Sequence, residues 1–390
     1  MATRKAAKAS AVKVSPKKRD LRSIFQSAND ALCAQLVERE EVVHGCLLGL
    51  LSQKHVFLLS EPGTAKSALA KALCKMFSGL VPFMIQLDKQ TRKEAVYGPA
   101  DLDAYIHASN GKKDYKLLID GYAACAHLLL IDEIWKAEAS ILDSFLWHWD
   151  ESRQFKNGRE VIDTPLMTVL CCSNELPEDH GLKAHYDRIM LRYVVQDIQD
   201  DSNFFKVLGT KISGAPNLAT LDDLKAAQKE VAAVALTDDI KWALTNVRRK
   251  LQDIDLKFSV RRWNECIAIL QAQAWLDGRN SISLDDLLIL QHVLWDKPED
   301  RKNVQRVIYD VASPSLKAAL DIFDKATEVY NEACKQGNSA AGNELNDKLK
   351  KLRDQLQKLQ PRSRKIDELD AKLEGYLIQY ATEYLGFKFS

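Results

Sequence analysis

The sequence predicts an α/β fold, a parallel sheet with helices on its faces, followed by an all-helical domain and a coiled-coil-like helical extension. Three observations carry that reading. First, a short apolar run, Val56–Leu59, feeds a turn-forming Glu-Pro-Gly-Thr-Ala stretch and then a helical pattern opening at Lys66 and Ser67. A strand, a glycine-containing loop and a helix N-terminus together hold phosphates, because backbone N–H groups and the positive end of the helix face the anion. Second, Leu128–Ile131 is an apolar run suited to a parallel strand buried on both faces, and it ends on Asp132 and Glu133. Carboxylates there sit at the strand's C-terminal edge, where open α/β sheets bind ligands. Third, from Leu316 onward the chain is almost purely helical and charge-laced. Leu345, Leu349, Leu352, Leu356 and Leu359 alternate steps of four and three, the spacing of a coiled-coil seam.

Composition narrows the field. At 390 residues the chain has room for two or three domains, and a net charge of +1 provides no global field to draw it to nucleic acid or to a membrane surface. The eight cysteines include no C-x-x-C pair, which argues against a disulfide framework or a zinc knuckle and fits a reducing, cytoplasmic setting. No apolar stretch approaches the length of a membrane span. Residues 1–20 form a basic, Ala/Ser/Lys-rich tail expected to be solvated.

Taken in order, residues 21–51 carry a helical pattern with an apolar face at Leu47, Leu48, Leu50 and Leu51. The first strand is Val56–Leu59, and the helix after Lys66 turns Leu69, Leu73 and Phe77 inward. A second strand is expected at Phe83–Leu87. Residues 98–121 resemble an inserted hairpin, with strands at 101–106 and 115–119 around an Asn110-Gly111 turn. After the Asp132-Glu133 strand, a helix from Glu138 to Asp150 places Ile141, Phe145, Leu146 and Trp149 in the core. A strand at Leu166–Cys172 ends on Ser173-Asn174, and Arg188 precedes a last apolar strand at Met190–Val195. Residues 200–297 contain helical patterns near 221–234, 240–251, 262–276 and 284–295, the last started by Ser283. Trp242, Trp263, Trp275 and Trp295 are expected to pack in cores and between domains. The division that follows is 1–20 tail, 21–199 α/β domain, 200–297 helical lid and 298–390 helical extension. The extension's seam is read as packing within the chain.

The chemistry concentrates in two places. The loop departs from G-x-x-x-x-G-K-[ST], with Ser60 in place of the first glycine and Gly63 the glycine inside it. Alone the match is moderate, and such a turn could also cap an ordinary helix. Paired with Asp132-Glu133 it reads as a nucleotide site, in which Asp132 holds Mg²⁺, Ser67 offers a direct oxygen ligand and Glu133 polarises a water. Lys66 and the acidic pair would converge on one triphosphate at adjacent strand tips. Asn174 can orient the attacking water, and Arg188 can serve a neighbouring subunit.

These segments resemble the MoxR branch of the AAA+ ATPases, most nearly its RavA-like group. The resemblance rests on Glu61-Pro-Gly-Thr-Ala-Lys-Ser67, Tyr97-Gly-Pro99, Leu130-Ile-Asp-Glu-Ile-Trp-Lys136, Arg153-Gln-Phe-Lys-Asn-Gly158, Ser173-Asn-Glu-Leu-Pro177, Tyr186-Asp-Arg188 and Ser259-Val-Arg-Arg-Trp263. It implies a Walker A loop spanning Glu61, Pro62, Gly63, Thr64, Ala65, Lys66 and Ser67, and a Walker B pair at Asp132 and Glu133. It further implies sensor 1 at Asn174, an arginine finger at Arg188 with Arg192 as a second candidate, and sensor 2 at Arg261, reaching back from the lid to the nucleotide. The neighbouring Arg262 is easily confused with it. Val37–Val43 resembles the adenine side of the family's site. ATP, Mg²⁺, a hexameric ring, a protein client and a von Willebrand A-domain partner are what the resemblance implies. The extension after residue 300 is too short for the β-rich partner-binding module that some RavA-like chains carry. Three functions follow as alternatives: an ATP-driven remodeller, a nucleotide-gated assembly protein with little turnover, which Ser60 suggests, and a nucleic-acid motor, which has only the basic tail behind it.

Overall fold

The computed structural model describes residues 19–61, 66–107, 115–149, 152–177, 180–209, 217–337, 340–361 and 364–384, with only the backbone given for Ser67, Ala104, Leu146, Trp147, His180, Ala341 and Arg364. The basic tail, the Pro62–Ala65 stretch and the Asn110-Gly111 turn lie outside them, apart from Arg19 and Asp20. The helical pattern at the start divides into α1 (Leu21–Cys33) and α2 (Glu40–Ser52). Glu38, at a φ of 57°, turns the chain between them through the left-handed region, which interrupts a helix. α2 lies very close to the sheet because two glycines face it. A Cβ on Gly45 would sit 2.1 Å from the Tyr193 hydroxyl oxygen, and one on Gly49 2.7 Å from a Val56 methyl.

A five-stranded sheet follows, built from β1 (Val56–Ser60), β2 (Pro82–Gln86), β3 (Leu128–Asp132), β4 (Thr168–Ser173) and β5 (Leu191–Val195). The spatial order is β2-β3-β4-β1-β5, and every pairing is parallel. Side chains alternate across each strand, so the apolar runs divide between two cores. Val56, Leu58, Leu128, Leu130, Leu170 and Cys172 join the core under α1, α2 and α3 (Lys66–Met76). Phe57, Leu129, Ile131, Val169 and Cys171 join the other, against α4 (Ala139–Trp149). Cys171 and Cys172 are thus buried strand residues, as their apolar surroundings imply. β1, which leads to Lys66, and β3, which ends at Asp132, are not neighbours, because β4 lies between them. That insertion puts Ser173 and Asn174 at the centre of the edge rather than beside it.

In the inserted region, residues 102–106 form a short helix rather than the expected strand, with the Tyr105 N–H bonded to Asp101 O at 3.1 Å. The segment ties back through an antiparallel bridge between Ala100 and Leu117, with the Asp101 N–H bonded to Lys116 O at 2.9 Å, and through Asn157, whose side-chain amide pairs with both backbone groups of Leu117. Without a partner strand, local i to i+4 bonds win.

After α5 (Lys183–Arg188) and α6 (Asp201–Val207) come the helices α7 (Leu221–Ala232), α8 (Asp238–Gln252) and α9 (Val260–Leu276), then a tight helical segment, Leu284–His292. That last segment opens at Ser283 as its sequence suggests, with the Ser283 N–H donating to Asp286 at 2.7 Å. Trp275 and Trp295 are fully buried, but Trp242 is 70% exposed on α8 and belongs to no core. The inward face of α8 is made instead by Ile240, Leu244, Val247 and Leu251, and Trp242 falls off that stripe. Four further helices follow, α10 (Arg301–Ala312), α11 (Pro314–Gln336), α12 (Ala340–Gln357) and α13 (Arg364–Tyr384), the last three forming the C-terminal extension. Its leucine seam is used inside the chain: Leu349 and Leu356 are buried with Ile366 and Leu373, and the Tyr376 ring stacks on Tyr330 at 4.4 Å.

Candidate functional site

All five strands point the same way, so their C-terminal ends form one edge. β1 ends there at Ser60, β3 at Asp132 and β4 at Ser173. Ser60 continues β1 as an ordinary strand residue paired with Val195, and it is not among the positive-φ residues. Replacing the family's glycine by serine therefore stores no backbone strain here. Lys66 opens α3 with its side chain only 9% exposed, and its Nζ lies 3.7 Å from Asp132 Oδ1. The ammonium from the head of α3 and the carboxylate from the end of β3 thus face one space. Glu133 follows at a φ of 54°, a conformation a glutamate seldom adopts. Its N–H donates to Asp132 Oδ1 at 3.1 Å, and its carboxylate pairs with Lys136 Nζ at 3.2 Å on the next turn. The left-handed residue ends the strand, and the short helical turn Ile134–Lys136 follows. Asn174 stands exposed one residue beyond β4, between the two acidic and basic groups.

Beside Lys66 a narrow crevice is lined by Leu36, Arg39, Val42, Leu58, Leu69 and Val195. Within the segment Val37–Val43, the Val43 side chain is fully buried in the main core, and Val37 does not line the crevice. Leu36, Arg39 and Val42 do, the first two from the turn between α1 and α2 and the third from the first turn of α2. No periodicity marks them in the sequence, because the turn at Glu38 interrupts the helix. Glu38 in the same turn accepts N–H groups from Gln199 and Asp200 at 2.8 and 3.1 Å, and the Asn203 amide at 3.1 Å. Those donors hold its carboxyl below the usual range and tie the crevice to α6, on the path to the lid.

The opposite edge of the sheet carries the arginines. A cleft of about 210 Å³ is lined by Lys54, His55, Arg153, Asp187, Arg188 and Arg261, among others. Lys54 and His55 immediately precede β1, so this cleft and Lys66 lie at opposite ends of that strand. Arg188 is the last residue of α5 and donates to Ala184 O at 2.9 Å. Arg261, in the first turn of α9, shares this cleft, so the expected reach to its own chain's nucleotide is not made. The lid packs α9 behind the sheet, against α2 and α7. Sequence gives the helix but not the side from which it approaches. Lys54, which nothing in the sequence singled out, and Arg153, which opens one of the resemblance motifs without a role assigned to it, add positive charge to the cleft. Lys54 is paired with Glu265, and Arg153 donates to Gln53 O at 2.6 Å.

Arg192 is corrected as a finger candidate. It is fully buried, and its guanidinium donates to Tyr186 O at 2.7 Å, Ile189 O at 3.0 Å, Asp296 at 2.7 Å and Trp295 O. Burial pulls its pKa down to about 10, still charged at neutral pH. It cannot reach another molecule. Arg262 is buried as well and pairs with Asp187 at 2.8 Å and Asp296 at 2.9 Å, which separates its role from that of Arg261.

A parallel sheet in this order, a lysine-headed helix and an Asp-Glu strand end at one edge, and a small helical lid define the AAA+ class of P-loop proteins. The particular family follows from sequence matches. Residues 22–230, more than half the chain, match a family described as the MoxR domain in the MoxR-vWA-beta-propeller ternary systems, and residues 239–308 match an AAA lid domain. The chain belongs to the MoxR family of AAA+ proteins. It is similar to two uncharacterised proteins of Methanocaldococcus jannaschii. MJ0079 is 28% identical over 79% of this chain and 78% of its own length, and MJ0812 is 27% identical over 80% and 82%. The crystal structure of a proposed ATPase from Cytophaga hutchinsonii shares the fold, with a TM-score of 0.59 at 15% identity over 75% of this chain and 94% of that one. Among the described residues no helix is long and apolar enough to cross a membrane.

Proposed function

We propose that the protein is a Mg²⁺-dependent ATPase that works as a ring and remodels a protein client. The observation that carries the reading is the approach of Lys66 Nζ to Asp132 Oδ1, 3.7 Å apart, with Glu133 and Asn174 on the same edge. Lys66 would bind the β- and γ-phosphates with the backbone of residues 61–67. Asp132 and Ser67 fit a Mg²⁺ ion as hard oxygen donors, and the ion would neutralise phosphate charge during transfer. Glu133 would take a proton from the attacking water, and Asn174 would orient that water. Leu36, Arg39 and Val42 would flank the base.

Arg188 and Arg261 sit on the far edge, out of reach of their own chain's Lys66. In a closed ring, one subunit's far edge can face the next subunit's nucleotide edge, so both arginines would act in trans. The head-to-tail geometry supports a ring, with six subunits as the family expectation. Placement within the RavA-like group is supported by the helical extension and by the motif set. The family description suggests a von Willebrand A-domain partner and a β-propeller component. A cytoplasmic setting agrees with eight cysteines that form no disulfide. The alternative of an assembly protein with little turnover rested on Ser60, and a strand residue without strain gives it no support.

The test is phosphate release from ATP with Mg²⁺, compared with Lys66→Ala and Glu133→Gln. Activity in the wild type that both variants lack supports the reading. Equal activity in all three overturns it.

A further inference from the structure

The two cleft arginines come from different parts of the chain, Arg188 from the α/β domain and Arg261 from the lid. Each has a sequence neighbour tied to the other part. Asp187, just before Arg188, accepts from Arg262 Nη2 at 2.8 Å and from the hydroxyl of Ser259, the residue that caps α9, at 3.1 Å. Arg262 follows Arg261 directly. Its other nitrogen reaches Asp296 Oδ1 at 2.9 Å, and Arg192 Nη1 reaches the same oxygen at 2.7 Å. Arg192 also bonds the carbonyls of Tyr186 and Ile189, which bracket Asp187-Arg188, and its guanidinium lies 3.7 Å over the Tyr186 ring. The Tyr186 hydroxyl closes the loop on Asp296 O at 3.1 Å.

We infer that Asp187, Arg262, Asp296 and Arg192 form a positioning clamp that fixes Arg188 and Arg261 relative to each other, so that both are presented together to a nucleotide held by a neighbouring copy. The inference rests on the trans reading given above. Burying two guanidiniums side by side is costly, and apolar side chains of similar volume would hold a domain junction at least as firmly. Ionic partners supply direction instead. Arg262 is the central piece, because its planar fork spans the carboxylates of both domains, which a lysine's single point charge cannot do. None of the four clamp residues lies at the Lys66 edge, so the clamp acts through the arginines and not on a subunit's own nucleotide.

That asymmetry provides the test, by mixing full-length subunits and measuring ATP hydrolysis. A Lys66→Ala subunit keeps its arginines and acts as donor, and an Arg188→Ala/Arg261→Ala subunit keeps its nucleotide edge and acts as receiver. Each is inactive alone under the proposed reading, and the mixture recovers hydrolysis. Adding Asp187→Asn to the donor is expected to lower the recovered rate by on the order of 10-fold or more, since small misplacements of catalytic groups are costly. The same change in the receiver is expected to leave recovery within about twofold, because the receiver's own clamp holds no working arginine. Asp187→Glu in the donor should restore part of the loss. If Asp187→Asn does not fold, Asp296→Asn serves in the same two positions. Equal loss on both sides, or no loss in the donor, overturns the clamp while leaving the trans reading intact. Failure of the unmodified donor to rescue the receiver, with both subunits folded and the receiver binding ATP, overturns the trans reading and the clamp with it.

Discussion

The two edges of one sheet are built by different means. At the C-terminal edge, Lys66, Asp132, Glu133 and Asn174 follow directly from strand ends, and parallel register alone brings them together. At the N-terminal edge, Arg188 and Arg261 come from elements far apart in the chain and are set by ion pairs between domains. The C-terminal edge is therefore set within the sheet itself, whereas Arg188 and Arg261 share a cleft through contacts between the sheet domain and α9. Under the proposed function, such a division would let each subunit bind nucleotide while hydrolysis depends on assembly and on lid position.

The largest expected effects break the comparison outright. Arg188→Ala should lower turnover by roughly 10³–10⁵, as loss of a trans arginine does in related phosphoryl transfer, while ATP binding to the separate subunit is unchanged. Equilibrium binding measured beside turnover checks it; a parallel loss of both would place Arg188 with the binding edge. Next, Glu133→Gln should reduce turnover by about 10²–10⁴ with binding retained, the size of a lost general base. A smaller effect lies outside both edges. Leu349 is fully buried in the extension, so Leu349→Ala should cost about 2–5 kcal/mol of stability in denaturant unfolding.

Acid should separate the edges more gently. Burial disfavours the charged Asp296 carboxylate, but Arg262 and Arg192 outweigh it and hold its pKa below the usual range. A group depressed in the folded state adds stability above its ordinary value, near 3.9, and loses that contribution as the pH falls through the folded value. Thermal unfolding followed downward from neutral pH should show this loss, and Asp296→Asn should flatten it. The smallest effect is expected for Ser60→Gly, which should destabilise by about 0.5–1 kcal/mol and leave turnover unimproved, because glycine in a strand costs entropy and relieves no strain here. A several-fold gain in turnover would show that the serine does restrain the loop.

Much of this was legible before any coordinates. The strand ahead of Lys66 and the strand ending at Asp132-Glu133 each announce themselves within about ten residues, because a doubly buried strand must be apolar throughout. The leucine seam from Leu345 to Leu359 likewise gave the extension's helices. The errors share a cause. Arg192 sits in a strand whose charge pattern looks like that of any exposed edge, and only its burial beneath Asp296 and Trp295 removes it from the surface. Trp242 looked like core because large aromatics usually are, but its place on the helix faces outward. Residues 102–106 lost their strand because no partner pairs with them there.

By itself the sequence determined the strand ends, and with them which lysine and which carboxylates share an edge, since parallel pairing leaves those side chains no other place. Tertiary structure alone decided which side of the sheet the lid arginine faces and which arginines are buried. That choice depends on how two separately folded units dock, and docking is set by ion pairs such as Asp187 with Arg262, whose partners lie 75 positions apart and leave no local pattern.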